Sequence, residues 1–156
     1  MKSSNGGGGV KYLKPYLFPV SGFIVLDQFL KIIIYCFFFD IQTDILKNMV
    51  RFRPVFNTNL SWGGNYIPIL SEMVIVVFLN ILIIVLFLSG YAFYRSKKPE
   101  FNACIDIIYV IGLAGSFCSL VDKIIWGGSL DYIQIVGLFT FDLKDCYLTI
   151  AQCLFV

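Results

Sequence analysis

Three long apolar runs constrain this chain of 156 residues more than any other feature of its sequence. They cover residues 16–39, 73–94 and 103–121, and each is close to the roughly 20 residues that a helix needs to cross a bilayer. A fourth run begins at Cys146 and reaches Val156, about half a crossing if it is helical. We therefore predict an all-α membrane fold, a bundle of four transmembrane helices, and we expect a complete fourth crossing to need residues beyond Val156.

The composition agrees with a membrane as the solvent. The chain is 58% apolar and only 14% charged, whereas soluble domains are near half apolar and a quarter charged. A net charge of +2 is too small for the electrostatic footprint of a nucleic-acid-binding protein. The lack of histidine excludes Ser-His-Asp and Cys-His catalysis and most zinc sites. The five cysteines form no CxxC pair, and we interpret them as small buried hydrophobes.

The order of the runs predicts one membrane domain over residues 16–156, preceded by a glycine-rich, flexible N-terminal tail, residues 1–15. Basic residues set the expected orientation, because cytoplasmic loops of membrane proteins are enriched in lysine and arginine. Arg95, Lys97 and Lys98 fall in the short turn at about 94–100, and three lysines precede the first run. Both regions are therefore expected in the cytoplasm, and the longer links, about 40–71 and 122–144, outside.

The two outer links have the composition of short strands. Val50 to Ile69 and Leu130 to Phe141 mix β-branched and aromatic residues with glycine and proline. We predict a small β element on the outer membrane face, with an amphipathic interfacial segment as the alternative.

Two aspartates stand where apolar runs meet the outer links. Asp122 follows the third run and Asp145 precedes the fourth, so neighbouring spans would bring both carboxylates to the same depth. Two close carboxylates share a proton, and such a pair can deprotonate water and protonate a peptide leaving group. The pattern allows an aspartic peptidase that needs no histidine. The alternative, that both residues only cap helix ends, remains open.

Further polar residues allow other roles. Asp27 and Lys31 are four residues apart on one helix face, where an internal ion pair that orients helices is the alternative to a part in catalysis. Asn57 offers a side-chain amide in the first outer link, with ordinary turn chemistry as the alternative. Ser119 and Lys123 are also four apart, a spacing that would allow a serine–lysine pair.

Four blocks of this sequence, in order from about Asp27 to Cys146, resemble the motifs of signal peptidase II, the prolipoprotein signal peptidase. LDQFLK (26–31) resembles D-Q-x-x-K, and FNTNLSWGG (56–64) resembles the outer-loop block N-x-G-A-A-F/W-G. GSFCSLVDKIIWGGSLDYI (115–133) resembles G-x-x-G-N-x-I-D-R-x-x-x-G-x-V-x-D-F. FDLKDC (141–146) resembles F-N-x-A-D-S.

The resemblance implies an aspartic endopeptidase that removes signal peptides from diacylglyceryl-modified prolipoproteins, just before the lipidated cysteine. It implies that Asp122 and Asp145 are catalytic. It also implies a set of substrate-binding or supporting residues around them, namely Asp27, Lys31, Asn57, Trp62, Lys123, Asp131 and Asp142. From its own residues we also expect the first outer link to fold over the aspartate pair as a cradle and mobile lid that grips the substrate, with Trp62 in its apolar wall. A passive surface loop is the alternative.

The same resemblance implies the setting in which the chain works. Four transmembrane helices would carry an outer β-cradle in the bacterial inner membrane, with the site facing outward. No metal or cofactor would be needed, and globomycin-type cyclic peptides would bind in the site. We expect a monomer whose partners are membrane lipid and the lipid-modified signal peptides.

The sequence also departs from the family pattern. Cys118-Ser119 stands in place of Gly-Asn, Lys123 in place of Arg, Asn59 in place of Gly, and Asp142 and Lys144 in place of Asn and Ala. We therefore expect a divergent member. Another class of function is a non-enzymatic carrier or accessory subunit, with Asp27, Lys31 and Asp106 as a polar path near the bilayer midplane. An intramembrane protease of the presenilin type would need a GxGD motif, which this sequence lacks.

Overall fold

The structure is a computed structural model, and it describes residues 8–58, 72–98, 100 and 102–155. Within these residues the chain forms four α-helices and four short strands. The helices are α1 (Gly8–Ile33), α2 (Met73–Lys97), α3 (Ala103–Val121) and α4 (Leu143–Phe155). The strands are β1 (Thr43–Leu46), β2 (Val50–Asn57), β3 (Ser129–Ile135) and β4 (Thr140–Phe141). Trp62 and the rest of the expected lid lie outside the described residues.

Three of these helices are long and apolar enough to cross a membrane. The spans are Lys14–Phe38, Met73–Lys97 and Ala103–Trp126, which confirms the three long runs identified in the sequence. α4 has 13 residues and starts three positions before the predicted Cys146. A complete fourth crossing therefore stays a prediction.

The N-terminal part of α1 differs from what we expected. The helix begins at Gly8, so residues 8–15, which we assigned to a flexible tail, are helical, and Pro15 and Pro19 lie within the helix. Glycines disfavour an isolated helix in water. Near a bilayer, however, a helix is strongly favoured because it satisfies its own backbone hydrogen bonds, and this effect opposes the low helix propensity of glycine.

α3 is the central helix, since it packs against α1, α2 and α4. Its contacts with α1 and α2 form a core of buried side chains: Val20, Ile84, Tyr91, Tyr109, Val110, Leu113 and Ala114. The crossing with α4 is close because Gly115 has no side chain. A Cβ atom at this position would lie 2.8 Å from Leu148 Cγ, too near for the present packing.

Two of the spans end in a π-helical turn. α1 continues into Ile34–Phe38, and α3 continues into Asp122–Trp126. Gly127, with a left-handed φ of 67°, ends the second turn and redirects the chain into β3. π-helical turns are often found at functional sites, and this one begins at an aspartate that the sequence had singled out.

The strands form one antiparallel sheet in the order β1-β2-β3-β4. This result confirms short strands in the described part of both links. Asn57 pairs with Ser129, and Val55 with Asp131. Since α1 and α3 lead into the sheet and α2 and α4 follow it, the sheet lies at one end of the helices, opposite the turn between α2 and α3.

The cysteines are less buried than we expected. Cys118 is buried and Cys146 is half-buried, but Cys36, Cys104 and Cys153 are exposed. The prediction of buried positions is therefore wrong for three of the five. Outward-facing positions on membrane helices contact lipid, so a weakly polar thiol meets an apolar environment there without protein burial.

Candidate active site

Lys31 lies at the centre of a buried network of ions where the helices meet the sheet. Its Nζ atom is 2.9 Å from Asp27 Oδ2, 2.6 Å from Asp122 Oδ2 and 2.7 Å from Asp142 Oδ2. The four side chains have no exposed surface. The i,i+4 pair of Asp27 and Lys31 is therefore an internal ion pair, and it connects α1 to the end of α3 and the start of α4.

Gln28 and Trp126 complete the surroundings of Asp122. The Gln28 amide donates hydrogen bonds of 3.0 Å to Asp27 Oδ2 and to Asp122 Oδ1. It accepts one of 3.0 Å from the indole N–H of Trp126. Sequence analysis missed this role, although Gln28 belongs to the same block as Asp27 and Lys31. Asp122 is thus held on both carboxylate oxygens by residues of α1.

Asp142 and Asp145 cap the start of α4 together. The backbone N–H of Asp145 donates to Asp142 Oδ1, and the backbone N–H of Asp142 donates to Asp145 Oδ2, both at 3.2 Å. This reciprocal pattern is a capping box, which satisfies two N–H groups that a helix start leaves without partners. The positions of both carboxylates are therefore fixed by the backbone of α4.

Asp131 reaches the same region from β3. Asn57 Nδ2 donates a hydrogen bond of 3.0 Å to Asp131 Oδ2, across the antiparallel pair of β2 and β3. The Ser129 hydroxyl lies 2.9 Å from Asp131 Oδ1, and also 3.2 Å from Asp122 and 3.1 Å from Asp142. A hydroxyl has one proton to donate, so Ser129 serves one of these carboxylates at a time.

Three carboxylates meet at this point. Asp131, Asp142 and Asp145 each have an oxygen within 4.8 Å of those of the other two, a spacing that could hold a cation. The ammonium group of Lys144 already supplies a positive charge there, since it contacts Asp142 and Ser129 and lies 3.9 Å from Asp131 Oδ1. We therefore assign no metal to the cluster.

A cavity of about 840 Å³ opens beside this cluster, between the sheet and the helix ends. Its polar lining includes Asn57, Ser119, Lys123, Ser129, Asp131, Lys144 and Asp145, and its apolar lining includes Val55, Phe56, Phe139, Phe141 and Leu148. Asp131 and Asp145 thus both face the cavity. Asp122 is fully buried and paired with Lys31, whereas Asp131 and Asp145 have carboxylate oxygens within 4.8 Å of one another.

The carboxyl groups of the cluster differ in proton affinity. Burial raises the pKa of Asp145 to about 6, although the nearby Lys144 opposes the shift. Burial also raises the pKa of Asp131, against the opposing effects of Lys144 and the Asn57 amide. Asp142 is buried too, but Lys144 and Lys31 outweigh that effect and lower its pKa. Burial therefore raises the proton affinity of Asp131 and Asp145, whereas the two lysines lower that of Asp142.

Ser119 and Lys123 form a second polar pair in the cavity wall. Lys123 Nζ lies 2.9 Å from Ser119 Oγ, on consecutive turns at the end of α3. The carboxylate of the neighbouring Asp122 is bound by Lys31. A lysine at this distance from a serine can activate the serine hydroxyl as a nucleophile.

Known proteins share the sequence pattern and the fold of this chain. The family described as signal peptidase (SPase) II matches residues 20–156. Two solved structures of a bacterial membrane enzyme, determined by the in meso method at 2.3 and 1.9 Å resolution, are similar in fold with TM-scores of 0.74. They are 19% and 18% identical in sequence, and the matches cover 92% of this chain and 86% and 91% of theirs. No curated protein matches the chain.

Proposed function

The chain belongs to the signal peptidase II family, a family of peptidases, and we propose that it is the aspartic peptidase that removes signal peptides from lipid-modified prolipoproteins. The proposed cleavage is just before the lipidated cysteine, as the sequence motifs implied. The observation that carries this proposal is the pair of carboxyls, Asp131 and Asp145, that face one cavity with raised pKa values.

We propose Asp131 and Asp145 as the catalytic pair, in place of the Asp122 and Asp145 pairing suggested by the sequence. Asp122 is paired with Lys31 and has no exposed surface, so water and substrate do not reach it in this arrangement. Its proposed role is to hold α1 against α3 and to fix Lys31, which in turn fixes Asp142 at the start of α4.

The proposed reaction uses one shared proton. The ionised carboxylate takes a proton from a water molecule, whose oxygen attacks the carbonyl carbon of the scissile peptide bond. The protonated carboxyl gives its proton to the leaving nitrogen as the carbon–nitrogen bond breaks, and the pair regains its starting charge. Asn57 supports this chemistry, since its amide fixes one oxygen of Asp131.

The walls of the cavity suit an extended, partly apolar substrate. β2 contributes Val55 and Phe56, and the link around β4 contributes Phe139 and Phe141. The cavity lies between the sheet and the ends of the spans. A signal peptide that remains in the bilayer could therefore present its cleavage site there in extended form. The lipid-modified substrate and globomycin-type inhibitors are proposed occupants of this cavity.

The proposed setting is a bacterial inner membrane with the sheet on the outer face and the chain acting as a monomer. α4 would be the beginning of a fourth crossing, because Cys146 to Phe155 continue away from the sheet along α3. The basic turn between α2 and α3 would then be cytoplasmic, which agrees with the positive-inside rule.

The contacts argue against a carrier with a continuous polar path. Asp27 and Lys31 pair with residues at the sheet end of the helices, whereas Asp106 lies in the first turn of α3 and binds the Tyr91 hydroxyl at 2.6 Å. The apolar core around Val20 and Leu113 separates the two groups. Buried polar groups that are separated in this way are expected when each group orients its own helices, and not when they form one continuous path for a solute.

The test of the proposed function is a cleavage assay in detergent micelles. A synthetic prolipoprotein peptide with a diacylglyceryl cysteine is incubated with the purified protein, and the products are identified by mass spectrometry. We expect one cut directly before the modified cysteine, and none in a matched peptide with an unmodified cysteine. Cleavage elsewhere, equal cleavage of both peptides, or no cleavage would contradict the proposal.

A further inference from the structure

Lys144 occupies a position where few proteins place a lysine. It is the second residue of α4, is 5% exposed, and lines the cavity next to the proposed catalytic pair. A cation at the N-terminus of a helix opposes the helix dipole, so the position has an electrostatic cost that other contacts must offset.

Asp142 provides the main compensation. Its Oδ2 atom contacts the ammonium groups of both Lys31 and Lys144. Lys31 also pairs with Asp27 and Asp122, so this one cation faces three buried carboxylates. Lys144 supplies the second positive charge, and it also lies 3.2 Å from Asp122 Oδ2. Asp142 and Lys144 therefore compensate each other in the buried network.

The charge of Lys144 also acts on the carboxyls that face the cavity. Its Nζ atom lies 3.9 Å from Asp131 Oδ1, and it belongs to the same turn of α4 as Asp145. An opposite charge at this range favours the ionised carboxylate. Among the described residues, Lys144 is the cation that opposes the upward pKa shifts of both Asp131 and Asp145.

We propose that Lys144 is a positioning residue, held by Asp142, whose charge sets the pH range in which Asp131 and Asp145 share one proton. This inference rests on the proposed function, because it concerns the same pair of carboxyls. Without Lys144 the pair would hold its protons up to higher pH, and without Asp142 it would lose them at lower pH.

The other charged groups around Lys144 come from every element packed against it. They are Lys31 of α1, Asp122 and Lys123 at the end of α3, Asp131 of β3, and Asp142 and Asp145 at the start of α4. Asp27 of α1 joins this group through its ion pair with Lys31. Lys31 is bound by three carboxylates and Lys123 by Ser119. Neither of these lysines is placed to replace the charge of Lys144 beside Asp131.

The experiment is the pH profile of kcat/KM for four variants: Lys144→Met, Lys144→Arg, Asp142→Asn and the double variant Asp142→Asn/Lys144→Met. An aspartic pair gives a bell-shaped profile whose limbs report its two apparent pKa values. We expect both limbs of Lys144→Met to move up by about one pH unit and those of Asp142→Asn to move down. Lys144→Arg keeps the charge and should keep the profile.

The double variant protects the test against misfolding. Lys144→Met leaves Asp142 with a shared cation, whereas the double variant removes one charge of each sign. The limbs of the double variant should therefore lie at higher pH than those of Asp142→Asn alone. In this comparison the loss of the Lys144 charge leaves no unpaired carboxylate at position 142. A lower rate with unmoved limbs in this comparison would mean that Lys144 is only structural, and would overturn the inference.

A second measurement separates this inference from the proposed function. The aspartate carboxyls of ¹³C-labelled protein are titrated by NMR in micelles, which needs no substrate. If the titrations of the carboxyls move to higher pH in Lys144→Met, but the unchanged protein cleaves no lipidated peptide, the inference is supported and the proposed function is contradicted. Cleavage by the unchanged protein, with carboxyl titrations that ignore Lys144, would overturn the inference alone.

Discussion

The ammonium group of Lys31 lies 2.6 Å from the carboxylate of Asp122, and neither side chain has any exposed surface. The two residues are 91 positions apart, so their contact ties the first span to the third. Asp131 and Asp145 line the cavity, and the role we propose for Asp122 is to hold these helices together.

The first prediction concerns the stability of this network. Lys31→Met should lower the free energy of unfolding by about 3–5 kcal/mol, because it leaves buried carboxylates without their cation. Thermal denaturation in micelles measures the change, with Lys98→Met at an exposed position as the matched control. A melting temperature equal to that of the control would show that the buried ions do not hold the helices together.

Asn57 is expected to act through Asp131. Asn57→Ala removes the 3.0 Å hydrogen bond to the carboxylate, and should lower kcat/KM about tenfold, roughly 1.4 kcal/mol of transition-state stabilisation. Arg53→Ala, at an exposed position of the same strand, is the control and should cleave normally. Equal rates for the two variants would assign Asn57 to ordinary strand pairing.

Ser119 offers a test between two mechanisms. If Asp131 and Asp145 perform the reaction, Ser119→Ala should keep turnover of the same order as the unchanged protein. If Ser119 and Lys123, 2.9 Å apart, form a nucleophile and its base, the same change should abolish cleavage. Rate measurements on the lipidated peptide decide between them.

The membrane orientation can be tested by cysteine labelling. Native cysteines must first be replaced, since Cys36, Cys104 and Cys153 are exposed. In that background Lys47→Cys, in the turn between β1 and β2, should react with an impermeant reagent outside intact cells. Ser96→Cys, in the last turn of α2, should react only after the cells are opened. The reverse pattern would place the sheet in the cytoplasm.

The helices and strands were predictable because their signals are local. α3 begins at Ala103, as predicted, because the side chain of Asn102 caps the helix there. The predicted run ends at Val121, where the helix continues as the π-helical turn Asp122–Trp126. The strand composition of both outer links was equally clear. The start of α1 was not predictable, since the glycines at residues 6–9 disfavour a helix in water. The sequence has no local signal for the membrane surroundings that favour one.

The site was predictable in its members but not in its arrangement. The motifs drew attention to Asp27, Lys31, Asp122, Asp131 and Asp145, all of which lie in one region. Which carboxyl faces the cavity depends on contacts between residues far apart in sequence, such as Lys31 with Asp122. The sequence contains no local signal for that choice, nor for the contacts of Ser129 and Lys144 with three acids.

We propose that Asp131 and Asp145, rather than Asp122, perform the chemistry. This proposal is tested most directly by single-turnover cleavage of the lipidated peptide by Asp131→Asn, with its melting temperature measured in the same micelles. We expect cleavage to be abolished while the melting temperature stays close to that of the unchanged protein. Cleavage by Asp131→Asn at a near-normal rate would contradict it.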